Sequence, residues 1–238
     1  MKKLLLVLLL LVPLGLVAQS KAEIPKFLYE TDLIAENVAV CRIAAPDHDP
    51  DGIYVIQIKP DGKILEVRIG DVRETLEKDM QVVAVLSAPD EGYKKLNNEI
   101  IAQRTNPDYD TFMAWDNGKP VEFFDASLFP SYAEFYSNVV QGPGLIRDNK
   151  IVTSDNTNRG AISSVGIDKY NNLTFIHSIT QTTPVQFSAT IMNAMPGMRT
   201  LMMTTLGPNA SIGFVSGSQY YFSIGNTTYV NTSLFTIR

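Results

Sequence analysis

Thr183-Pro184-Val185-Gln186-Phe187-Ser188-Ala189-Thr190-Ile191-Met192-Asn193-Ala194-Met195-Pro196-Gly197 reads as one complete helix with its own start and stop signals. Thr183 is an N-cap residue and Pro184 suits the first helical position, where its missing N–H is no loss. Phe187, Ile191 and Met195 recur at i, i+4 and i+8 and form one apolar stripe, and Pro196-Gly197 ends it. A strand, residues 200–204, follows at once. The same order, helix then strand, is expected over residues 71–87, where Asp71 caps a short helix with Val72 and Leu76 one turn apart.

Working outward, the remaining apolar runs alternate and are punctuated by turn residues. Ile53-Tyr54-Val55-Ile56-Gln57-Ile58 faces Lys63-Ile64-Leu65-Glu66-Val67-Arg68-Ile69 across Pro60-Asp61-Gly62, which predicts a hairpin. Further hairpins are expected around Asp116-Asn117-Gly118, around Arg147-Asp148-Asn149 and around Lys169-Tyr170-Asn171-Asn172. Ser131-Tyr132-Ala133-Glu134 has the capping-box pattern and predicts a short helix to about Ser137. Two helix–strand units beside several hairpins predict an α+β class: a single mixed domain of β-hairpins with a few helices. No linker, charge block or repeat divides the chain after its N-terminal segment.

That segment stands apart. Lys2 and Lys3 precede an apolar run over residues 4–17, and Ala18 follows. The run falls short of the roughly 20 residues a spanning helix needs, and the layout is that of a cleavable signal peptide. The expected division is therefore residues 1–18 as signal peptide and 19–238 as the domain. No integral membrane segment is left after cleavage, and the destination is secreted or periplasmic, in the cell envelope.

Composition narrows the chemistry. The chain is 45% hydrophobic and 19% charged with a formal charge of −5, which excludes a disordered tail and a multi-span membrane protein. A net acidic chain without Lys/Arg runs is no candidate for nucleic acid. One cysteine and two histidines exclude an intramolecular disulfide and Cys/His metal clusters, and neither metal nor cofactor is expected. Cys41 reads as a small hydrophobe in a strand, His177 as a half-buried strand histidine in phase with Phe175, and Trp115 as a structural aromatic. No phosphate loop, His-Glu-x-x-His or Gly-x-Ser-x-Gly motif occurs, so no residue is assigned a catalytic role. Two turns gather small residues and hydrogen-bonding groups: Gln141-Gly142-Pro143-Gly144-Leu145-Ile146 and Leu206-Gly207-Pro208-Asn209-Ala210-Ser211.

Those turns carry a resemblance. Residues 141–151, from Gln141-Gly142-Pro143-Gly144 to Ile151, resemble the glutamine-glycine-proline strand and hairpin of the phosphodiester glycosidase family. Ser164-Val165-Gly166-Ile167-Asp168, the hairpin to His177, the 184–195 helix and Gly207-Pro208-Asn209-Ala210-Ser211 follow in that family's order. The order of elements extends over about residues 38–224, the motifs over 141–214. The resemblance implies a glycosidase acting on a sugar phosphodiester, with Gln141, Arg159, Asn209 and Ser211 lining the site and a glycan or sugar phosphodiester as partner. The departures are specific. The family's Asn-Ala/Gly-Gly-type turn corresponds to Ser87-Ala88-Pro89-Asp90, and its arginine falls where this chain has Ile162-Ser163, three residues after Arg159. Its Leu-Asp-Gly-Gly turn is here Thr204-Thr205-Leu206-Gly207, so Thr205 stands where the family has its acid, and Asp90 and Glu91 are the acids that follow the first turn. A glycosidase works through carboxyl groups. Two alternatives therefore stand beside the hydrolase: a catalytically inactive sugar-binding relative, and an envelope or surface interaction module.

Overall fold

The computed structural model describes residues 28–35, 38–43, 53–58, 67–70, 84–116, 119–216, 219–224 and 227–231. The expected signal peptide, the helix expected from Asp71, and His48 lie outside them. Strands dominate. An eight-stranded sheet runs in the order β1 (Leu28–Ala35), β2 (Val38–Ile43), β3 (Ile53–Ile58), β14 (Leu173–Thr182), β13 (Gly160–Asp168), β15 (Met198–Leu206), β11 (Gly144–Arg147) and β12 (Lys150–Ile151). A five-stranded sheet has the order β7 (Glu99–Ala102), β6 (Lys94–Leu96), β10 (Asn138–Gly142), β8 (Thr111–Trp115) and β9 (Glu122–Asp125). Another has β18 (Thr227–Asn231), β17 (Gln219–Ile224), β16 (Ser211–Ser216), β5 (Ala84–Leu86) and β4 (Val67–Ile69). Among the described residues every pairing is antiparallel except β4 with β5.

The expected α+β class is thereby corrected: the described chain is nearly all β, with one α-helix, α1 (Pro184–Ala194). The capping-box pattern at Ser131 yields only one 3₁₀ turn, residues 133–135, and Tyr132 precedes it without a side-chain cap. The segment is too short between β9 and β10 to offset the cost of nucleating a helix. The hairpin expected between Ile53–Ile58 and residues 63–69 is also corrected. Both edges of β3 are occupied, by β2 and β14, while β4 pairs with β5 in a different sheet.

The other turns form where the residues place them. Asp148 and Asn149 both adopt positive φ, 51° and 58°, the geometry of a two-residue turn between β11 and β12. Asn171, at φ 62°, serves the β13–β14 hairpin, and β8 pairs antiparallel with β9, while residues 117–118 of the expected turn between them lie outside the described residues. Helix α1 forms as its sequence dictates. The Thr183 hydroxyl accepts from Gln186 N–H at 3.2 Å, the Gln186 side chain accepts from Thr183 N–H, and Phe187, Ile191 and Met195 are buried. Such a cap contributes about 1 kcal/mol.

The main sheet has a different neighbour on each face. Ile162, Ile176, Leu145 and Leu201 pack with Phe187 and Ile191 of α1. Val165, Phe175 and Met202, on the other face, pack with Leu86 and Ile212 of one small sheet and Met113 and Trp115 of the other. The Trp115 indole N–H donates to the Val67 carbonyl at 3.2 Å, tying the two small sheets together, and the ring is a structural aromatic. Arg147 ties β11 to β8 and β9. Its guanidinium meets Asp110 at 2.8 Å and Asp125 at 2.7 Å and donates to the Thr111 hydroxyl at 3.0 Å.

Asp116 holds the turn after β8. Its carboxylate accepts from Ser137 N–H at 2.6 Å and from the Lys119 ammonium at 2.9 Å. The Ser137 bond, then Lys119, holds its pKa down to about 2, against an ordinary value of 3.8. A depressed carboxylate contributes stability that is present above pH 3.8 and is lost as pH falls toward 2. Asp116→Asn is therefore expected to flatten the acid limb of stability between those pH values. Urea titrations across that range check it, and equal slopes for the two proteins would contradict it.

Candidate functional site

Two turns meet at the end of β15: one follows β5, and the other carries the chain from β15 of the main sheet into β16, the neighbour of β5. Ser87, just beyond β5, donates its N–H and its hydroxyl to the Ser211 carbonyl at 3.2 and 3.3 Å. Ser211 N–H returns a bond to the Ser87 hydroxyl at 3.1 Å. The Thr205 hydroxyl donates to the Ala88 carbonyl at 3.2 Å. Thr205 is thus a neutral hydroxyl that anchors the neighbouring turn. Gly207 N–H donates to Ala161 O at 2.8 Å, and a Cβ on Gly160 would lie 2.9 Å from Gly207 N, so the start of β13 closes against the same turn. The Gln141 turn joins from the side: Met203 N–H donates to Pro143 O at 2.9 Å, and Gln141 N–H to Tyr93 O at 2.9 Å.

The four expected site residues fare differently in this rim. Arg159 is exposed beside it, one residue before Gly160, and its guanidinium reaches the Gln181 carbonyl only at 3.4 Å. Asn209 is exposed at the tip of the turn. Ser211 is buried, and its backbone N–H and carbonyl are both engaged by Ser87. Gln141 is placed nearby, but its amide is committed elsewhere. Its Oε1 accepts from Tyr93 N–H at 3.1 Å and Asn106 N–H at 2.9 Å, and its Nε2 donates to Asn106 O at 2.8 Å and Tyr109 O at 2.7 Å. That buried amide is a strut for the loop over residues 103–110. All its capacity for strong hydrogen bonds to a sugar is taken.

The chain after Ser87 carries two acids, and the 103–110 loop contacts one of them. Asp90 and Glu91 are exposed, and Glu91 accepts from the Asn106 side chain at 2.8 Å. The Tyr109 phenol titrates above its ordinary value, mainly through burial and then through the charges of Glu91, Asp90 and Asp108. Lys94, whose ammonium donates to the Asp90 carbonyl at 3.3 Å, is held below its ordinary value by burial, which outweighs the opposing pull of Asp90. Gly92 adopts φ +92° between Tyr109 and the Gln141 amide, where a side chain would be strained and crowded. Among the described residues, no three His, Cys, Asp or Glu side chains are grouped to hold a metal.

Beneath the rim lies a polar pair that motif reading passed over. Ser163 Oγ and His177 Nδ1 are 2.9 Å apart on opposed residues of β13 and β14, and both side chains are fully buried. His177 is therefore an interior residue rather than a half-buried one. The signal was present in the hairpin: Ser163 and His177 lie equally far back from its turn.

No family model matches the chain, and no curated protein matches it. Solved structures do. The zebrafish N-acetylglucosamine-1-phosphodiester alpha-N-acetylglucosaminidase catalytic domain, auto-inhibited by its pro-peptide, superposes with a TM-score of 0.46 at 13% identity, over 74% of this chain and 66% of that one. A hypothetical protein from Synechocystis superposes with a TM-score of 0.53 at 9% identity, over 86% of this chain and 61% of that one. The likeness is one of fold. This chain spans about two thirds or less of the length of each. Among the described residues no helix is long and apolar enough to cross a membrane.

Proposed function

We propose that the protein is exported and binds a glycan or sugar phosphodiester across the rim between the Ser87–Asp90 and Thr205–Ser211 turns. The observation that carries this reading is the meeting of those two turns, locked by the Ser87–Ser211 and Thr205–Ala88 bonds, with Asn209 and Arg159 left exposed at its edge. The Asn209 amide can donate to and accept from sugar hydroxyls. Arg159 offers a fork for phosphate oxygens. The family-like order of residues 141–214 supports the sugar class, and the Lys2–Ala18 segment supports export. Binding is favoured over turnover because Thr205 contributes no carboxyl group and its hydroxyl serves the fold. Asp90 and Glu91, exposed on the same turn, favour a hydrolase as the second reading.

The test uses the mature chain, its start at Gln19 verified by intact mass. Calorimetry with a panel of sugar 1-phosphates and methyl glycosides is expected to show binding without release of free sugar. Arg159→Ala is expected to weaken the phosphate-bearing ligands about three- to tenfold, the modest effect of an exposed, screened charge. Steady hydrolysis by the wild type, lost in Asp90→Asn or Glu91→Gln, would establish the second reading instead. No affinity for any member of the panel would remove the sugar-binding reading.

A further inference from the structure

The register between β13 and β15 slips at the rim. Ser163 pairs with Thr205 while Ser164 pairs with Met203, so Thr204 is the extra residue of a β-bulge. Alternation puts Ser164 and Met203 on the face of the sheet that carries α1, against which Met203 packs. The bulge therefore places Thr204 and Thr205 together on the opposite face, with Ser163 and His177. Bulges of this kind re-aim side chains and gather near sites. Thr205, Ser163 and His177 each have a hydrogen-bond partner. Thr204 is 1% exposed, and among the described residues its hydroxyl has none. A buried hydroxyl without a partner is costly and uncommon, and calls for an explanation.

We infer that Thr204, with Ser163 and His177 behind it, forms the inner subsite of the rim and accepts one neutral hydroxyl of the bound sugar. This rests on the sugar-binding reading above and adds the direction in which the ligand lies. Thr205, next along the strand, is 8% exposed and is where the polar group meets the rim. Neither Arg nor Lys is among the three inner side chains, so a phosphate carried there loses its hydration without such a group in exchange. The sugar's hydroxyl end therefore points inward to Thr204 and the anionic end outward to Arg159.

Isothermal calorimetry on the full mature chain tests this, with methyl α-glycosides and the matching sugar 1-phosphates as probes. Thr204→Val is expected to weaken both classes by the same factor, roughly three- to tenfold, as for one neutral hydrogen bond. Thr204→Ser, which keeps the hydroxyl, retains wild-type affinity, whereas Arg159→Ala weakens only the 1-phosphates. The melting midpoint of Thr204→Val without sugar is expected to match or exceed the wild type, because no internal bond is removed. Wild-type affinity in Thr204→Val overturns the subsite while leaving the rim in place, and so does a lowered midpoint without sugar. Failure of the wild type to bind any probe overturns the sugar-binding reading itself, and the inner subsite with it.

Discussion

Gln141→Leu is expected to destabilise the protein by about 3–5 kcal/mol and to free the loop over residues 103–110. The amide makes four hydrogen bonds, to Tyr93 N–H, Asn106 N–H, Asn106 O and Tyr109 O, from a fully buried position on β10. Each bond contributes about 1 kcal/mol net, and backbone groups deprived of a buried partner add a desolvation cost. Leucine fills most of the volume, so the loss is of polar pairing rather than of packing. Urea unfolding gives the stability change, and limited proteolysis within residues 103–110 reports the released loop. A variant as stable as the wild type, with intact loop protection but weakened sugar affinity, would return Gln141 to the role of a ligand contact. The loop also carries Asn106, which steadies Glu91, so the acidic side of the rim loses its order together with stability.

Gly166→Ala is expected to be more damaging still. Gly166 lies in the middle of β13, paired with Thr174 on one side and Leu201 on the other. A Cβ there would overlap the Thr200 carbonyl oxygen and stand 2.9 Å from Leu201 Cα. Both obstacles are backbone atoms of a central strand, which cannot move aside without breaking the β13–β15 ladder. The requirement is for space between strands, not for an unusual φ. The cost is put at roughly 4 kcal/mol or more, the range of severe overpacking at a buried site. Most of the variant is expected to be insoluble on expression, and what is recovered should lack a cooperative thermal transition. A soluble Gly166→Ala protein melting within a few degrees of the wild type would show that β15 shifts to make room. Gly207, with φ +118° and open space around its Cα, is the contrasting case, where glycine serves the backbone conformation.

Much of the local structure was legible from the residues. Thr183-Pro184 at one end and Pro196-Gly197 at the other mark α1 without reference to anything distant, because capping and termination are settled within a turn or two of chain. Asp148-Asn149 and Asn171 likewise declare their hairpins, since these side chains tolerate positive φ. The Ser163–His177 pair was within reach as well, because a tight turn fixes the register of the strands leading away from it.

Which strands become neighbours over long distances was not legible. Ile53–Ile58 and residues 63–69 make a convincing hairpin on paper, yet β3 is enclosed by β2 and β14 while β4 joins β5 in another sheet. An alternating strand specifies which of its faces is apolar, not which partner covers its edges, and that choice belongs to the whole set of strands competing to pair. The class was misjudged for a related reason. The Ser131 pattern is sufficient for a cap but has too few residues behind it for a helix, and neighbouring strands claim the chain on either side. For the site, the sequence determined that Gln141, Arg159, Asn209 and Ser211 belong to tight turns or to strand ends. Only the tertiary structure decided that the Gln141 amide faces the distant loop over residues 103–110, that Ser211 pairs with Ser87, and that a bulge leaves the Thr204 hydroxyl buried without a partner among the described residues. Residue type sets what a side chain can bond to; the atoms that reach it first are set by packing across 30 or more residues of intervening chain.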